Sequence, residues 1–241
     1  MGVRKICGRC GGVNTSNKIC LECGCTPCKN SMVSGEQDVS AIVPKLEELR
    51  IPKSYLGKSW NMGMFWSSHA AKQSDKLVHI FANQMDKVHN IFAGGGLPQK
   101  SALFIAPAGY SKMLWAYSCM QYAVTNQYSV APMLDTLEIK RLLILSSERP
   151  TVRVMNIDYD EYIESDVLFF TVTKTEQRKN SASIIAELLD KRARRGKGVI
   201  GLSRTSVYEM AQWDSLNFFA PLMEPVDPAD TFKMPAIVSC L

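Results

Sequence analysis

The chain has 241 residues and a formal net charge of +5, with 46% hydrophobic and 21% charged residues, which suits one sizeable globular domain plus a smaller one. No apolar run is long enough to cross a membrane, and the first residues lack the apolar core of a secretory signal. We therefore expect a cytoplasmic protein without a membrane partner, whose mild positive charge admits nucleic acid without requiring it.

Six of the eight cysteines are crowded near the N-terminus in CGRCGGVNTSNKICLECGCTPC. C-x-x-C pairs so close together suit tetrahedral zinc, and a glycine after each of the first two pairs favours the tight turn around a thiolate. The predicted zinc ligands are Cys7, Cys10, Cys20 and Cys23, with Cys25 and Cys28 as alternates. A disulfide cluster or reactive thiols are the alternatives, and the absence of an export signal disfavours them.

The cysteines predict a zinc-ribbon-like module over residues 1–28, followed by a polar linker over 29–41 and a larger domain over 42–241. A module this small needs its metal in order to fold. Its role stays open among three alternatives: to bind nucleic acid, to contact another protein, or only to hold itself folded.

Beyond the linker, helical and strand patterns alternate along the chain. The patterns predict helices over 74–92 (capped by Ser74 and stopped by the glycines at 94–96), 111–126, 135–145 (capped by Asp135) and 181–196, and strands over 101–106, 167–173 and 198–203. Such alternation predicts an α/β fold, a three-layer P-loop or AAA+-like core with a largely parallel sheet.

Two groups of side chains in this region have a packing interpretation and a binding one. The helix over 74–92 has a predicted apolar face that consists of Leu77, Ile80, Phe81, Met85, Val88 and Phe92. Two histidines of the same helix, His79 and His89, are expected to lie at the surface or boundary rather than to act as ligands. The aromatic residues before this helix are expected to pack against the sheet edge rather than to stack on bases; they are Tyr55, Trp60, Phe65 and Trp66.

The stretch ALFIAPAGYSKMLWAY, residues 102–117, has the outline of a phosphate-binding loop between a strand and a helix. Gly109, Ser111 and Lys112 are the candidate nucleotide-binding residues, because a lysine and a helix N-terminus both attract phosphate. Ala106 and Ser111 stand where the G-x-x-x-x-G-K-[ST] pattern has glycine, and Met113 replaces the hydroxyl that binds magnesium. ATP is thus a candidate ligand, whereas magnesium is a poor one.

The order of segments around this loop resembles the AAA+ ATPase domain of replicative helicase loaders of the DnaC/DnaI/IstB type. The resemblance covers residues 48–204 and rests on ELRIPKSYLGKSWN (48–61), the loop, SVAPMLDTLEIKRL (129–142), SDVLFFTVT and AELLDKRARRGKGVIGLSR (186–204). It implies a replication accessory protein that oligomerises and contacts a ring helicase or a related ATPase subunit, with single-stranded DNA nearby. The N-terminal zinc module resembles the DnaI-type arrangement, in which a small zinc domain contacts the helicase.

Several catalytic positions of that family are changed in this chain. Thr171 and Thr173 stand where the Walker B strand should end in acids, Glu176 lies farther on, and Ser203 or Arg204 occupies the sensor position. No arginine follows residue 204. Because phosphoryl transfer needs magnesium, a positioned water and charge stabilisation together, little or no hydrolysis is expected. The alternatives are a divergent active ATPase, or a zinc-ribbon nucleic-acid-binding protein whose second domain oligomerises.

The run KRARRGK, residues 191–197, concentrates positive charge at the end of the last predicted helix. In a DNA-binding interpretation, Lys191, Arg192, Arg194 and Arg195 would neutralise phosphates. In the alternative, which we favour, they form a solvated helix C-terminus whose charges complement the helix dipole.

Overall fold

The computed structural model describes residues 39–69, 75–98, 101–148, 159–172, 180–204 and 237–239, together with the backbone of 5–7, 13–14 and 30–31. The helices are α1 (Val43–Glu48), α2 (Met62–His69), α3 (Lys76–Ala93), α4 (Lys112–Thr125), α5 (Thr136–Glu148), α6 (Tyr159–Glu164) and α7 (Asn180–Arg194), with 3₁₀ turns at Ser40–Ile42 and Lys53–Tyr55. The strands are β1 (Lys5–Cys7), β2 (Val13–Asn14), β3 (Asn30–Ser31), β4 (Ala102–Ile105), β5 (Leu134–Asp135), β6 (Phe169–Thr171), β7 (Ile200–Ser203) and β8 (Ile237–Ser239).

Five of these strands form one sheet in the order β5-β6-β7-β4-β8, and every neighbouring pair in it is parallel. The predicted α/β class and parallel sheet are confirmed. The strand before the candidate phosphate loop, β4, lies inside the sheet between β7 and β8. Because all five strands run the same way, their carboxyl ends meet at one edge, where ligands bind in open α/β sheets.

Helices cover both faces of this sheet. On β4, Phe104 packs with the residues of α3 and α4, whereas Leu103 and Ile105 pack with Ile139 of α5 and Leu188 of α7. This alternation follows from the period of two along a strand, and it divides the core into two apolar clusters. The three layers that the sequence predicted are therefore present.

A second, small sheet comprises the three N-terminal strands in the order β2-β1-β3, and both of its pairs are antiparallel. Its third strand is Asn30–Ser31, so this sheet includes two residues that the sequence assigned to the linker.

Side-chain caps define the starts of two helices. The cap of α3 is Asp75, whose side chain accepts hydrogen bonds from the backbone N–H groups of Leu77 and Val78; the predicted cap, Ser74, lies outside the described residues. The predicted cap of α5 is confirmed, because Asp135 Oδ1 accepts from the N–H of Glu138 at 2.8 Å while Glu138 Oε2 accepts from the N–H of Asp135 at 2.9 Å. That reciprocal pair is a capping box.

The buried face of α3 differs from the predicted one. Leu77 is 52% exposed and Ile80 is 41% exposed, so placing them in the core was wrong. The buried stripe is shifted around the helix and keeps the spacing of three and four residues; it consists of Val78, Phe81, Ala82, Met85, Val88, His89 and Phe92.

His89 belongs to that buried stripe, which corrects the expectation that it lies at the surface or boundary. It is 6% exposed, and its Nε2 lies 2.9 Å from the hydroxyl of Ser118 on α4. Burial lowers the pKa of His89 from its ordinary value of 6.5 to about 4. The imidazole is therefore a neutral part of the α3–α4 interface at physiological pH, whereas His79 is exposed as expected.

Within the described part of the chain, no helix combines the length and apolar character needed to cross a membrane. Nor do His, Cys, Asp and Glu side chains there gather in a group of three that could hold a metal ion.

A candidate anion-binding cavity at the carboxyl edge of the sheet

The loop between β4 and α4 borders a cavity of about 1000 Å³. The cavity lies where β4, β6 and β7 end, and the lining combines the loop with the last residues of β6 and β7. The lining residues are Tyr55, Ala108, Gly109, Tyr110, Ser111, Lys112, Met113, Leu114, Thr171, Val172, Leu202, Ser203 and Arg204. The structure thus brings the three predicted nucleotide-binding residues together with Thr171, at the predicted Walker B strand, and with Ser203 and Arg204, at the predicted sensor position.

The loop has a backbone conformation that favours glycine at two places. Gly109 has φ 91°, which a glycine adopts at little cost. Ser111 has φ 52° and ψ 16° and precedes α4 as its N-cap, without a side-chain cap hydrogen bond. A left-handed backbone at a residue with a Cβ costs about 1–2 kcal/mol, and such strain concentrates at binding sites. The loop therefore keeps the turn although serine has replaced the glycine.

Lys112 begins α4 and points back beneath the loop. Its side chain is buried, with the residue only 7% exposed, and the ammonium donates hydrogen bonds to the backbone carbonyls of Ala106 and, at 2.8 Å, of Pro107. These contacts place its positive charge under the loop at the end of β4. A bound anion would compete with the two carbonyls for this ammonium.

The described lining offers few ligands for magnesium. Met113 packs its side chain on the apolar core, Thr171 and Ser203 contribute neutral hydroxyls, and no Asp or Glu lies among the lining residues. The lysine and arginine residues on this lining are Lys112 and Arg204. Thr173 and Glu176 lie outside the described residues.

Aromatic side chains form the wall behind the loop. Tyr110 of the loop is buried, and its ring lies 6.0 Å from that of Phe65 and 4.5 Å from that of His69. Trp60, Phe65 and Trp66 are also buried, which confirms the packing interpretation for these three. Tyr55 is half-buried and borders the cavity itself.

Of the four residues of the basic run that were predicted to contact DNA, one side chain is buried and three lie at the surface. Arg192 is 0% exposed, and its guanidinium donates to the backbone carbonyls of Ile163, Ser165 and Gly198 at 2.6, 2.7 and 2.9 Å. Burial lowers the pKa of Arg192 to about 10. No part of this side chain is accessible to a phosphate, which argues against the DNA contact predicted at Arg192.

The other three predicted DNA contacts carry surface ion pairs. Lys191 pairs with Glu187 and Arg194 with Asp190, each at 2.7 Å, and Arg195 pairs with Glu164. DNA contact by Lys191, Arg194 and Arg195 stays a prediction. The DNA-binding interpretation of this segment rested on its positive charge, and charge alone does not distinguish the buried Arg192 from its exposed neighbours.

The zinc prediction also stays a prediction. Cys7 is the last residue of β1, and the other five cysteines of the N-terminal cluster lie outside the described residues: Cys10, Cys20, Cys23, Cys25 and Cys28. Of the two isolated cysteines, Cys119 is buried in α4, and burial raises the pKa of its thiol.

No protein-family model matches this chain, and no curated protein matches it. Among solved structures, it is similar to domain III of the replication initiation protein DnaA from Thermotoga maritima, with a TM-score of 0.42 and 12% identity over 58% of this chain. The match spans 56% of that DnaA chain. A likeness at this level says nothing about what the present chain binds or does.

Proposed function

We propose that the α/β domain is a P-loop or AAA+-like module that binds the phosphates of a nucleotide, ATP being the first candidate, with little or no hydrolysis. The observation that carries this proposal is the cavity at the carboxyl edge of the parallel sheet, with Lys112 and Arg204 on its lining and no carboxylate among the described lining residues. The whole chain then acts as a replication accessory protein, resembling a helicase loader that works through protein contacts.

Three features support phosphate binding. The loop joins a buried parallel strand to the N-terminus of a 14-residue helix, whose dipole favours an anion. Gly109 and Ser111 hold positive φ angles, a backbone conformation that occurs in the turns by which proteins bind anions. Lys112 supplies a cation within the same loop.

Weak hydrolysis follows from the side chains that replace the catalytic ones. A thioether at Met113 does not bind a hard cation, and the threonine at the end of β6 is a poor substitute for a carboxylate. Without a bound magnesium ion and a group that orients water, transition-state charge is left unstabilised. The α/β domain would therefore use its bound nucleotide as a structural ligand.

For the partners, we propose a division of labour between the two parts of the chain. The zinc module, held by Cys7, Cys10, Cys20 and Cys23, would contact a ring helicase. The α/β domain would self-associate or pair with a related ATPase domain, and single-stranded DNA is the second candidate partner. The support is the resemblance of residues 48–204 together with the cysteine spacing.

The nucleotide proposal is tested by equilibrium ATP binding and ATP turnover on the full chain. Lys112→Met should weaken binding about tenfold or more, because a charge-assisted contact is worth about 1.5–3 kcal/mol. Lys87→Met, at an exposed position of α3 away from the cavity, is the matched control and should bind normally. A magnesium-dependent turnover abolished by Lys112→Met would instead identify a divergent active ATPase.

The partner proposal is tested by pull-down of the tagged full chain from its native cell. A ring helicase should be recovered with the wild type and with Lys112→Met, and lost when Cys7 and Cys10 are both replaced by serine. Recovery of nucleic acid without helicase would favour the zinc-ribbon nucleic-acid-binding alternative.

A further inference from the structure

We infer that this cavity takes its polyphosphate without a divalent metal ion, and that Arg204 supplies the positive charge that the ion would otherwise bring. This inference rests on the proposed function and names the form of its ligand: the free, metal-free nucleotide or another polyphosphate of high negative charge. It makes Arg204 a residue that contacts the ligand.

The position of Arg204 follows from the register of the sheet. In the parallel pair of β4 and β7, Ile105 lies opposite Ser203, and the N–H of Ala106 donates to the carbonyl of Ser203 at 3.1 Å. Arg204 is the next residue, so it leaves β7 at the level where the phosphate loop leaves β4. It is exposed and borders the cavity, and its guanidinium can therefore reach a ligand lying over the loop.

Lys112 alone is a weak counter-charge for a polyphosphate. Its ammonium is buried, and part of its hydrogen-bonding capacity already goes to the carbonyls of Ala106 and Pro107. Arg204 reaches the cavity from a different strand and on the solvent side. A guanidinium also binds phosphate oxygens in pairs, which a point charge does not.

The same lining disfavours a metal-bound nucleotide. A divalent ion shared between phosphates is commonly held by one or two protein carboxylates as well, and the side-chain oxygens of the described lining are hydroxyls, those of Thr171, Ser203, Ser111 and the tyrosines. An ion placed there would also face Lys112 and Arg204. Because the metal complex of a nucleotide carries less negative charge than the free nucleotide, the two cations attract the free form more strongly.

The test is calorimetric titration of the full chain with ATP, first in buffer stripped of metal ions on a chelating resin and then with excess magnesium. A soluble chelator is avoided because it would remove the predicted zinc. We expect affinity in metal-free buffer to equal or exceed that in magnesium. Arg204→Gln should weaken binding about tenfold in metal-free buffer, and Arg204→Lys should restore part of it.

Arg141→Gln is the matched control, since it removes the same charge from an exposed position of α5 outside the cavity and should leave affinity unchanged. Equal unfolding midpoints for Arg204→Gln and wild type would show that the variant is folded. Binding that needs magnesium, or an affinity unaltered by Arg204→Gln, overturns this inference while leaving nucleotide binding intact. No ATP binding in either buffer overturns the proposed function as well.

Discussion

The buried guanidinium of Arg192 should be among the most sensitive points of the fold. It connects the C-terminal end of α7 to the turn between α6 and β6 and to Gly198 ahead of β7, through three carbonyl contacts of 2.9 Å or less. Arg192→Met keeps most of the volume and removes all three donors. Each lost hydrogen bond costs about 1–1.5 kcal/mol, and part of this cost is offset because the variant no longer buries a charged group. We therefore expect the free energy of unfolding to fall by about 2–4 kcal/mol.

The measurement is urea unfolding of the full chain, followed by tryptophan fluorescence and analysed by linear extrapolation. Arg194→Met is the control on the same helix: its side chain is 76% exposed and, among the described residues, forms an ion pair with Asp190 four residues earlier in α7. That exposed pair should contribute less than about 0.5 kcal/mol. Equal losses for the two variants, or a loss below about 1 kcal/mol for Arg192→Met, would refute the assigned role of Arg192.

Three further predictions concern pH, metal and packing. The pKa of His89 is about 4 in the folded protein and 6.5 in the unfolded chain, so its contribution to the free energy of unfolding is complete above pH 6.5 and is lost as the pH falls toward 4. Between pH 7 and pH 5, the free energy of unfolding measured in urea should therefore fall by about 2 kcal/mol more for wild type than for His89→Gln. Elemental analysis of gently purified protein should find zinc equimolar with the chain and a clear loss when Cys7 and Cys10 are replaced by serine, whereas metal-free wild type would contradict the zinc proposal. Gly201→Ala should lower the free energy of unfolding by about 1–3 kcal/mol, since the added Cβ would lie 2.7 Å from the ring of Phe170 on β6; an unchanged urea midpoint would show that the sheet adjusts freely.

Local patterns in the sequence were sufficient for most of the elements in the α/β domain. The cap at Asp135 and the glycine stop after α3 depend on neighbours within a few residues, so the sequence alone identified them. The burial of His89 and of Arg192 could not be identified in this way. Their partners, Ser118 and the carbonyls around residue 165, are 27 to 29 positions away and meet them only after the helices pack.

In the candidate site, too, local sequence patterns identified some residues, whereas others are recognised only from the packing of distant segments. The loop residues Gly109, Ser111 and Lys112 lie within four consecutive positions, and the sequence pattern identified them as a group. Arg204 was noted in the sequence only as an occupant of the sensor position. Its relation to the loop depends on β7 pairing directly with β4, a contact between segments about 100 residues apart that no local pattern specifies.

Ser111 shows how the loop would meet a ligand. Glycine adopts without strain the left-handed backbone that Ser111 has here. We therefore attribute this turn to the strand and helix on either side of the loop rather than to the conformational preference of serine. A loop whose conformation is fixed by the flanking strand and helix is already ordered before the ligand binds, so binding costs little conformational entropy. Ser111→Gly should relieve the strain yet widen the conformations open to the empty loop. In the proposed nucleotide-binding role, the serine would thus lower folding stability somewhat and would keep the loop ordered before the ligand binds.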